Sequence, residues 1–392
     1  MRTKKCCLNC SNTDSKLVFF QAETDFYLCE DCIKKAYNLL VNSDNDDILN
    51  SSDNKLLKKY TPNKIKQYLD EYIIGQDEAK KKIAIAVYNH YKRILNKNLN
   101  LDKSNIMLLG PSGTGKTEMA RTIAKILNVP FVIVDATSLT EAGYVGDDVE
   151  NILLRLIKEA NYDIKRAEKG IIYIDEIDKI SRKSENTSIT RDVSGEGVQQ
   201  ALLKIIEGTD KVRVPIEGGR KHPNGDCYEI DTSDILFIAA GAFDGIDLTL
   251  KRNNQVGFNS NHFNDKTYKY TSDDLIKYGM LREFVGRFPV ITQTSKLSKE
   301  ELKRILVEPK NSILKQYEKL LKIDNINVEF TDDFLDEIAN SALKNGTGAR
   351  GLRNFIENAM EEVMFDAPDM EDNTNIKITS NYIYTKEFKK EA

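Results

Sequence analysis

The sequence GPSGTGKT at residues 110–117 constrains the fold more than any other feature of the chain. It follows the apolar run Ile106–Leu109 and precedes a segment with helical periodicity, so it fits the phosphate-loop pattern G-x-x-x-x-G-K-[ST] in its strand–loop–helix context. Glycines let successive backbone N–H groups turn toward phosphate oxygens, Lys116 can reach the terminal phosphates, and the Thr117 hydroxyl can ligate Mg²⁺. A glycine-rich turn without a ligand is the alternative. The candidate nucleotide-binding residues of the loop are Gly110, Pro111, Ser112, Gly113, Thr114, Gly115, Lys116 and Thr117.

A second apolar run, Ile171–Asp175, ends in the adjacent carboxylates Asp175 and Glu176. At the end of a buried strand, Asp175 would hold Mg²⁺ and Glu176 would polarise the attacking water. Alone, an acidic pair after a strand is typical of the start of a solvated loop. Together with the phosphate loop it predicts ATP hydrolysis, with ATP and Mg²⁺ as cofactors.

Apolar runs and helical segments alternate through the middle of the chain, which predicts an α/β fold. Five runs have the length of buried strands: Ile106–Leu109, Phe131–Asp135, Ile171–Asp175, residues 235–240 and residues 289–292. Helical periodicity covers residues 63–70, 76–96, 115–127, 147–168 and 198–207. Buried strands that alternate with helices predict a parallel sheet covered on both faces.

Composition narrows the class of protein further. With ~150 residues per domain, 392 residues predict two to three domains. The 40% hydrophobic and 30% charged residues are typical of a soluble globular protein, and no apolar run approaches the ~20 residues that span a bilayer. The first residues, MRTKK, lack the apolar region of a secretion signal, so we expect a cytoplasmic location and no membrane partner. A net charge of -4 gives no indication of a nucleic-acid partner.

Four cysteines near the N-terminus form two C-x₂-C pairs, Cys7 with Cys10 and Cys29 with Cys32. This spacing predicts a four-thiolate Zn²⁺ site, and the metal would stabilise a module too short to fold on its own core. Disulfides are the alternative, but a chain without a secretion signal is expected where thiols stay reduced. We interpret Cys6, which directly precedes the first pair, as a spare thiol.

The patterns at both ends of the chain predict the domain boundaries. Residues 41–55 are rich in Asn, Asp and Ser, which predicts a flexible tether. Beyond residue 295 the helical pattern dominates, at residues 298–321, 332–343 and 349–365, and only residues 328–330 and 376–379 resemble strands. We therefore predict a zinc-binding module at residues 1–42, a linker at 43–61, a large α/β ATPase domain at 62–294 and a smaller, mostly helical domain at 295–392.

Two arginines stand in segments suited to contact a nucleotide. Arg287 lies in EFVGRFP, just before the last predicted strand, where it could reach the γ-phosphate of a neighbouring subunit. Arg350 lies in GARG at the start of a helix, where it could contact nucleotide bound to its own chain. For each of them, a surface ion pair is the alternative.

In this order, the motifs resemble those of the ClpX family of AAA+ protein unfoldases along nearly the whole chain. Besides the zinc cysteines and the phosphate loop, the resemblance rests on YIIGQ at 72–76, GYVG at 143–146, IIYIDEIDK at 171–179, SITRDVSGEG at 188–197, GRKH at 219–222, EFVGR at 283–287 and GARGLR at 348–353. The resemblance implies a homo-hexameric ring that unfolds substrate polypeptides, brought by tags or adaptors, and passes them through its pore into a ClpP-like peptidase.

The resemblance also implies roles for residues of the nucleotide site. Tyr72, Ile73 and Ile74 match the segment that lines the adenine pocket; an apolar turn packed in the core is the alternative. Arg287 becomes an arginine finger that acts on the neighbouring subunit, and Arg350 becomes the second sensor. Residues 239–243, AAGAF, lack the polar sensor that many AAA+ proteins place after the corresponding strand, so no first sensor is assigned.

Two loops are implied to contact the substrate. Tyr144 and Val145 match the pore loop whose aromatic–aliphatic pair grips polypeptide, with flanking glycines for mobility. Arg220, Lys221 and His222 resemble the basic loop at the pore entrance. An ordinary loop with a half-buried tyrosine and a solvated charge run are the respective alternatives.

The segment implied to dock the peptidase departs from the family. Residues 251–270 are rich in Asn and carry Val256, Gly257 and Phe258, whereas the family favours Ile or Leu before Gly-Phe. We expect docking through this tripeptide; a solvated insertion is the alternative, and would favour a stand-alone AAA+ remodeller that works without a peptidase. A nucleic-acid motor or loader is the alternative from another class.

Overall fold

The computed structural model describes residues 17–20, 26–30, 32–33, 59–96, 101–140, 147–181, 195–216, 227–246, 269–380 and 384–387. The chain divides into two compact units, Met1–Leu56 and Leu57–Ala392. In the first unit, β1 (Leu17–Phe20) pairs antiparallel with β2 (Phe26–Cys29). Cys29, the last residue of β2, and Cys32, in the helical turn that follows, are both buried.

The second unit contains both the predicted α/β domain and the predicted small domain. Its strands are β3 (Ile106–Leu109), β4 (Phe131–Asp135), β5 (Leu139–Thr140), β6 (Asp147–Asp148), β7 (Ile171–Asp175), β8 (Val212–Pro215), β9 (Cys227–Ile230), β10 (Leu236–Gly241), β11 (Val290–Gln293), β12 (Asn327–Phe330), β13 (Asn375–Ile378) and β14 (Tyr384–Glu387). Its helices are α1 (Pro62–Asp70), α2 (Asp77–Leu95), α3 (Lys116–Leu127), α4 (Glu150–Glu159), α5 (Ile164–Ala167), α6 (Glu196–Ile206), α7 (Ser272–Tyr278), α8 (Arg282–Gly286), α9 (Lys299–Val307), α10 (Ile313–Ile323), α11 (Asp332–Lys344) and α12 (Ala349–Asp366), with short 3₁₀ turns at Ala136–Ser138, Ile177–Ile180 and Ala367–Asp369. None of the helices in the described part of the chain is both long and apolar enough to cross a bilayer.

A five-stranded parallel sheet forms the centre of this unit, in the order β11–β3–β10–β7–β4. The predicted strands are confirmed to within one residue, because each is a run of aliphatic residues bounded by turn-forming residues. All four side chains of β3 are buried, and each fully buried aliphatic side chain contributes about 1.5–3 kcal/mol. Since all strands are parallel, their carboxyl ends meet at one edge of the sheet, where ligands of such folds bind.

Two helices predicted as continuous are interrupted in the structure. The segment at 147–168 divides into α4 and α5, because Asn161 and Tyr162 adopt left-handed backbone angles with φ of 55° and 63°. The segment at 298–321 divides into α9 and α10 around Pro309, which has no N–H to continue a helix. Ser312 then caps α10, accepting a hydrogen bond from the Lys315 N–H.

The C-terminal part of the unit is a separate cluster of helices with its own small sheet. Helices α9, α11 and α12 bury Leu302, Phe334, Ile338, Leu352 and Ile356 against one another. Strand β12 pairs parallel with β13, and β13 pairs antiparallel with β14, a strand that the sequence pattern did not predict.

Candidate functional site

The phosphate loop follows β3, the second strand of the sheet, at the carboxyl edge. Strand β3 ends at Leu109, and α3 begins at Lys116. Gly110, Gly113 and Gly115 have φ of 135°, 73° and 91°, a backbone region that only glycine enters at low cost. A Cβ on Gly110 would also collide with Thr294. The loop conformation therefore requires the glycines of the motif.

Three separate elements hold the phosphate loop in place. The Gly110 N–H donates to the Gly241 carbonyl at the end of β10, at 3.1 Å. The Thr114 hydroxyl lies 2.7 Å from the Thr294 hydroxyl, just beyond β11. The Ala349 N–H at the start of α12 donates to the Gly113 carbonyl, at 3.0 Å. The loop is thus fixed by the sheet on one side and by the C-terminal helices on the other.

Lys116 lies inside the loop. Its Nζ donates to the carbonyls of Gly110 and Pro111, the second at 2.8 Å. Burial lowers the pKa of Lys116; Asp175 opposes this effect and the charge of Arg350 adds to it. A buried cation surrounded by backbone carbonyls at a helix N-terminus is suited to exchange these carbonyls for phosphate oxygens.

Side-chain oxygen atoms of β7 and α3 lie close together beside the loop. The Thr117 Oγ1 lies 3.3 Å from Asp175 Oδ2 and 3.2 Å from the Tyr173 hydroxyl. Burial raises the pKa of Tyr173, and the charge of Asp175 acts in the same direction. Hydroxyl and carboxylate oxygens are the ligands that Mg²⁺ prefers, so Thr117 and Asp175 fit the metal that accompanies a bound nucleotide.

Glu176 stands at the exposed mouth of the same edge. It follows Asp175 directly, has a left-handed φ of 54°, and its N–H donates to Asp175 Oδ1 at 3.0 Å. This turn separates the two carboxylates, so that Asp175 faces Thr117 and Glu176 is exposed to solvent. In this arrangement Asp175 can bind the metal while Glu176 activates the attacking water.

Arg350 and Arg287 lie at opposite edges of the sheet. Arg350 follows Ala349, which contacts the phosphate loop, and its charge lowers the pKa of both Lys116 and Tyr173. The Arg287 carbonyl instead accepts a hydrogen bond from Asn105 Nδ2, at 3.0 Å, directly before β3 begins. Arg287 therefore lies at the amino edge of the sheet, a strand length away from the phosphate loop of its own chain, and its guanidinium pairs with Glu207.

The predicted adenine segment packs beside the loop. Ile73 and Ile74 are each 6% exposed, and a Cβ on Gly115 would lie 3.7 Å from Ile73 Cγ2. Lys80 is almost completely buried, and its Nζ donates to the Ile73 carbonyl at 2.8 Å. This position agrees equally with a core role and with a role in an adenine pocket, so the latter stays a prediction.

Several residues around the loop were not predicted from the sequence. Thr294 and Gln76 approach the site from positions distant in the chain. Tyr173 appeared only as part of an apolar strand. Asp178 is 3% exposed, and its Oδ1 accepts the Ala242 N–H at 3.1 Å, so it ties the turn after β7 to the end of β10. Asp178 lies in the IIYIDEIDK segment at 171–179, but no role was predicted for it.

Other predicted site residues lie outside the described residues. They are the zinc cysteines Cys7 and Cys10, the pore-loop residues Tyr144 and Val145, the basic loop Arg220, Lys221 and His222, and the docking tripeptide Val256, Gly257 and Phe258.

A parallel sheet with a phosphate loop after β3, an acidic pair after β7 two strands away, and a helical C-terminal domain against the loop define an AAA+ ATPase, an ATP hydrolase. Residues 101–291 match the family described as AAA domain (Cdc48 subfamily), and residues 297–378 match the family described as C-terminal, D2-small domain, of ClpB protein. The ATP-dependent Clp protease ATP-binding subunit ClpX of Treponema denticola is 53% identical over 337 residues, which are 82% of this chain and 81% of that protein. The chain belongs to the ClpX family.

Proposed function

We propose that this chain is an ATP-dependent protein unfoldase that assembles into a homo-hexameric ring, pulls substrate polypeptides through its pore and delivers them to a ClpP-like peptidase. The similarity to the Treponema denticola subunit over most of both chains carries the proposal. The nucleotide site adds physical support, because its hydrolytic groups and its candidate finger lie at opposite edges of one sheet.

The residues of the site divide the chemistry of ATP hydrolysis among them. Lys116 neutralises charge on the terminal phosphates, and Thr117 with Asp175 holds the accompanying Mg²⁺, which supplies further neutralisation when bound. Glu176 accepts a proton from the attacking water. Arg350, on the helix that contacts the phosphate loop, stabilises phosphate charge within the same chain.

The position of Arg287 supports a ring. Since it lies at the edge opposite to its own phosphate loop, it would complete the nucleotide site of a neighbouring subunit. A closed ring of identical subunits gives every site such a neighbour. Hydrolysis would then depend on assembly, which couples chemistry to movement between subunits.

The substrate and peptidase contacts remain proposals from the sequence. Tyr144 and Val145 would grip the translocating chain, and the loop at Arg220, Lys221 and His222 would admit substrate tails. The tripeptide 256–258 would dock the peptidase. Val256 stands where the family favours Ile or Leu. Because this departure would affect docking, a remodeller that works without a peptidase is the second candidate function.

We further propose that the N-terminal unit binds one Zn²⁺ through Cys7, Cys10, Cys29 and Cys32. Cys29 and Cys32 are buried and lie at the end of a β-hairpin and in the turn that follows, an arrangement suited to half of a tetrahedral thiolate site. Within the described part of the chain, no group of three or more potential metal ligands occurs, and the other two cysteines lie outside that part.

The remaining assignments are the domain boundaries and the location. We propose the zinc module at 1–42, the linker at 43–61, the large domain at 62–294 and the small domain at 295–392, working in the cytoplasm. The two matched families, at 101–291 and 297–378, fall within the proposed large and small domains.

The proposed function is tested by measuring whether polypeptide or DNA stimulates ATP hydrolysis. The full-length protein is assayed for ATP hydrolysis alone, with an unfolded tagged polypeptide, and with single-stranded or duplex DNA. We expect stimulation by the polypeptide and none by DNA. Stimulation by DNA alone would instead indicate a nucleic-acid motor or loader.

A further inference from the structure

Two consecutive residues form hydrogen bonds to the two parts of the proposed nucleotide site, the phosphate loop and Gln76 at the end of the adenine segment. Thr294 and Ser295 lie directly after β11, where the chain leaves the sheet toward the C-terminal helices. The Thr294 N–H donates to the Leu109 carbonyl at 2.8 Å, and the Thr294 hydroxyl lies 2.7 Å from that of Thr114. Thr294 therefore holds the end of β3, from which the phosphate loop begins, and the middle of the loop.

Ser295 is held by the side-chain amide of Gln76. Gln76 Nε2 donates to the Ser295 carbonyl at 2.8 Å, and the Ser295 N–H donates to Gln76 Oε1, also at 2.8 Å. The amide thus satisfies both backbone groups of Ser295, as a neighbouring strand would. Gln76 is 8% exposed, so water does not readily replace these two hydrogen bonds.

Gln76 also ends the segment that contains Ile73 and Ile74. Gln76 and the preceding Gly75 both have left-handed φ, 60° and 66°, so the chain reverses sharply between the segment and α2. The Lys80 Nζ also donates to the Ile73 carbonyl. Because only Ile74 and Gly75 separate Gln76 from Ile73, the hydrogen bonds of the Gln76 amide restrain the position of Ile73 and Ile74.

We propose that Gln76 is a positioning residue for adenine nucleotides: its amide fixes the segment at 72–74 at a set distance from the phosphate loop. The distance is set because the segment is attached to Ser295 and the loop to Thr294, one residue apart. The inference rests on the proposed role of Ile73 and Ile74 in the adenine pocket. Gln76 then governs contacts to the base and not contacts to the phosphates.

The substitution Gln76→Met tests whether Gln76 governs contacts to the base and not contacts to the phosphates. It preserves the length of the side chain and removes both hydrogen bonds. The affinities of the full-length protein for ATP and for inorganic tripolyphosphate are measured by calorimetry with Mg²⁺ present. We expect ATP to bind about tenfold more weakly, and tripolyphosphate to bind within about twofold of the parent protein. Hydrogen exchange at the Ser295 amide should become faster, which reports the loss of its bond to Gln76.

Gln199→Met is the matched control. Gln199 is also a buried glutamine whose amide bonds two backbone groups: it donates to the Ile180 carbonyl at 2.7 Å and accepts the Leu281 N–H at 2.9 Å. We expect a comparable loss of stability with ATP affinity within about twofold of the parent. If Gln76→Met does not fold, Gln76→Glu, which keeps the acceptor and loses the donor, is measured in the same way.

Equal weakening of ATP and tripolyphosphate in the Gln76 variant would overturn the proposal, and so would unchanged ATP affinity. Ile73→Ala distinguishes the two levels of the inference. If Ile73→Ala leaves ATP affinity unchanged, the adenine assignment itself is wrong. If Ile73→Ala weakens ATP binding and the Gln76 variant does not, only the positioning role is wrong.

Discussion

Replacement of Arg287 by Ala separates a role in catalysis from a role in stability. The Arg287 guanidinium pairs with Glu207, with Nε 3.0 Å from Oε1, and the two side chains are 49% and 44% exposed. An exposed ion pair of this kind contributes about 0–1 kcal/mol to folding. The variant should therefore fold and melt almost as the parent protein does.

The expected effect on hydrolysis is much larger. Asn105, which bonds the Arg287 carbonyl, precedes the four-residue strand β3, and the phosphate loop follows it. At ~3.3 Å per residue, about 13 Å of strand separates the Arg287 backbone from the loop of its own chain, so the nucleotide contact proposed for Arg287 would be with a neighbouring subunit. An arginine finger contributes about 10³–10⁵ in kcat, equivalent to about 4–7 kcal/mol of transition-state stabilisation.

The assay measures ATP binding, ATP turnover and thermal unfolding of the Arg287→Ala protein. Arg304→Ala is the control, because Arg304 forms a comparable exposed pair with Glu308, at 2.8 Å. We expect turnover to fall by at least about 10³ in the first variant and to stay near the parent value in the second, with nucleotide bound in both. Mixing Arg287→Ala with Glu176→Gln subunits should restore part of the activity, since some interfaces then combine an intact Glu176 with an intact Arg287. Parent-like turnover, or no recovery on mixing, would refute a contribution across subunits.

Three further changes have distinct expected results. Glu176→Gln should bind ATP normally and lose about 10²–10⁴ in turnover, measured by nucleotide binding beside phosphate release, because it keeps Asp175 and removes the proton acceptor. Burial lowers the pKa of Lys103 from 10.5 to about 7. Between these pH values the unfolded chain keeps the proton that the folded chain has lost, so the free energy of unfolding should rise with pH above 7 by up to about 1.4 kcal/mol per pH unit. Chemical denaturation should show a smaller rise for Lys103→Met. Chelation or Cys10→Ser should unfold the N-terminal unit and spare ATP turnover, and metal analysis of the parent should find about one zinc per chain.

The sheet was predictable from the sequence because its signals are local. Each strand is a short aliphatic run, and parallel strands place Lys116, Thr117 and Asp175 at one edge without further information. The breaks within predicted helices had weaker signals: Pro309 marked one in the sequence, whereas Asn161 and Tyr162 are not residues that demand a turn. Strand β14, with the sequence YTKE, lacks the apolar residues by which the other strands were identified.

The supports of the site were not predictable, because they depend on contacts between distant parts of the chain. Gln76 and Ser295 are 219 residues apart, and Thr114 and Thr294 are 180 apart. A single glutamine or threonine has no periodicity or spacing that identifies such a partner. The burial of Tyr173 beside Thr117 likewise follows from the packing of α3 on β7, which the residue pattern of neither element specifies.

Unfolding of a stable substrate tests the central claim most directly. A folded fluorescent protein with an unstructured tag is incubated with the parent chain and ATP, and its fluorescence and the phosphate released are followed together. We expect fluorescence to be lost with ATP and retained with Glu176→Gln. Tyr144→Ala should release phosphate and leave the substrate folded, because it removes the aromatic side chain proposed to grip the substrate. ATP hydrolysis by the parent chain with the tagged substrate still fluorescent would contradict the account.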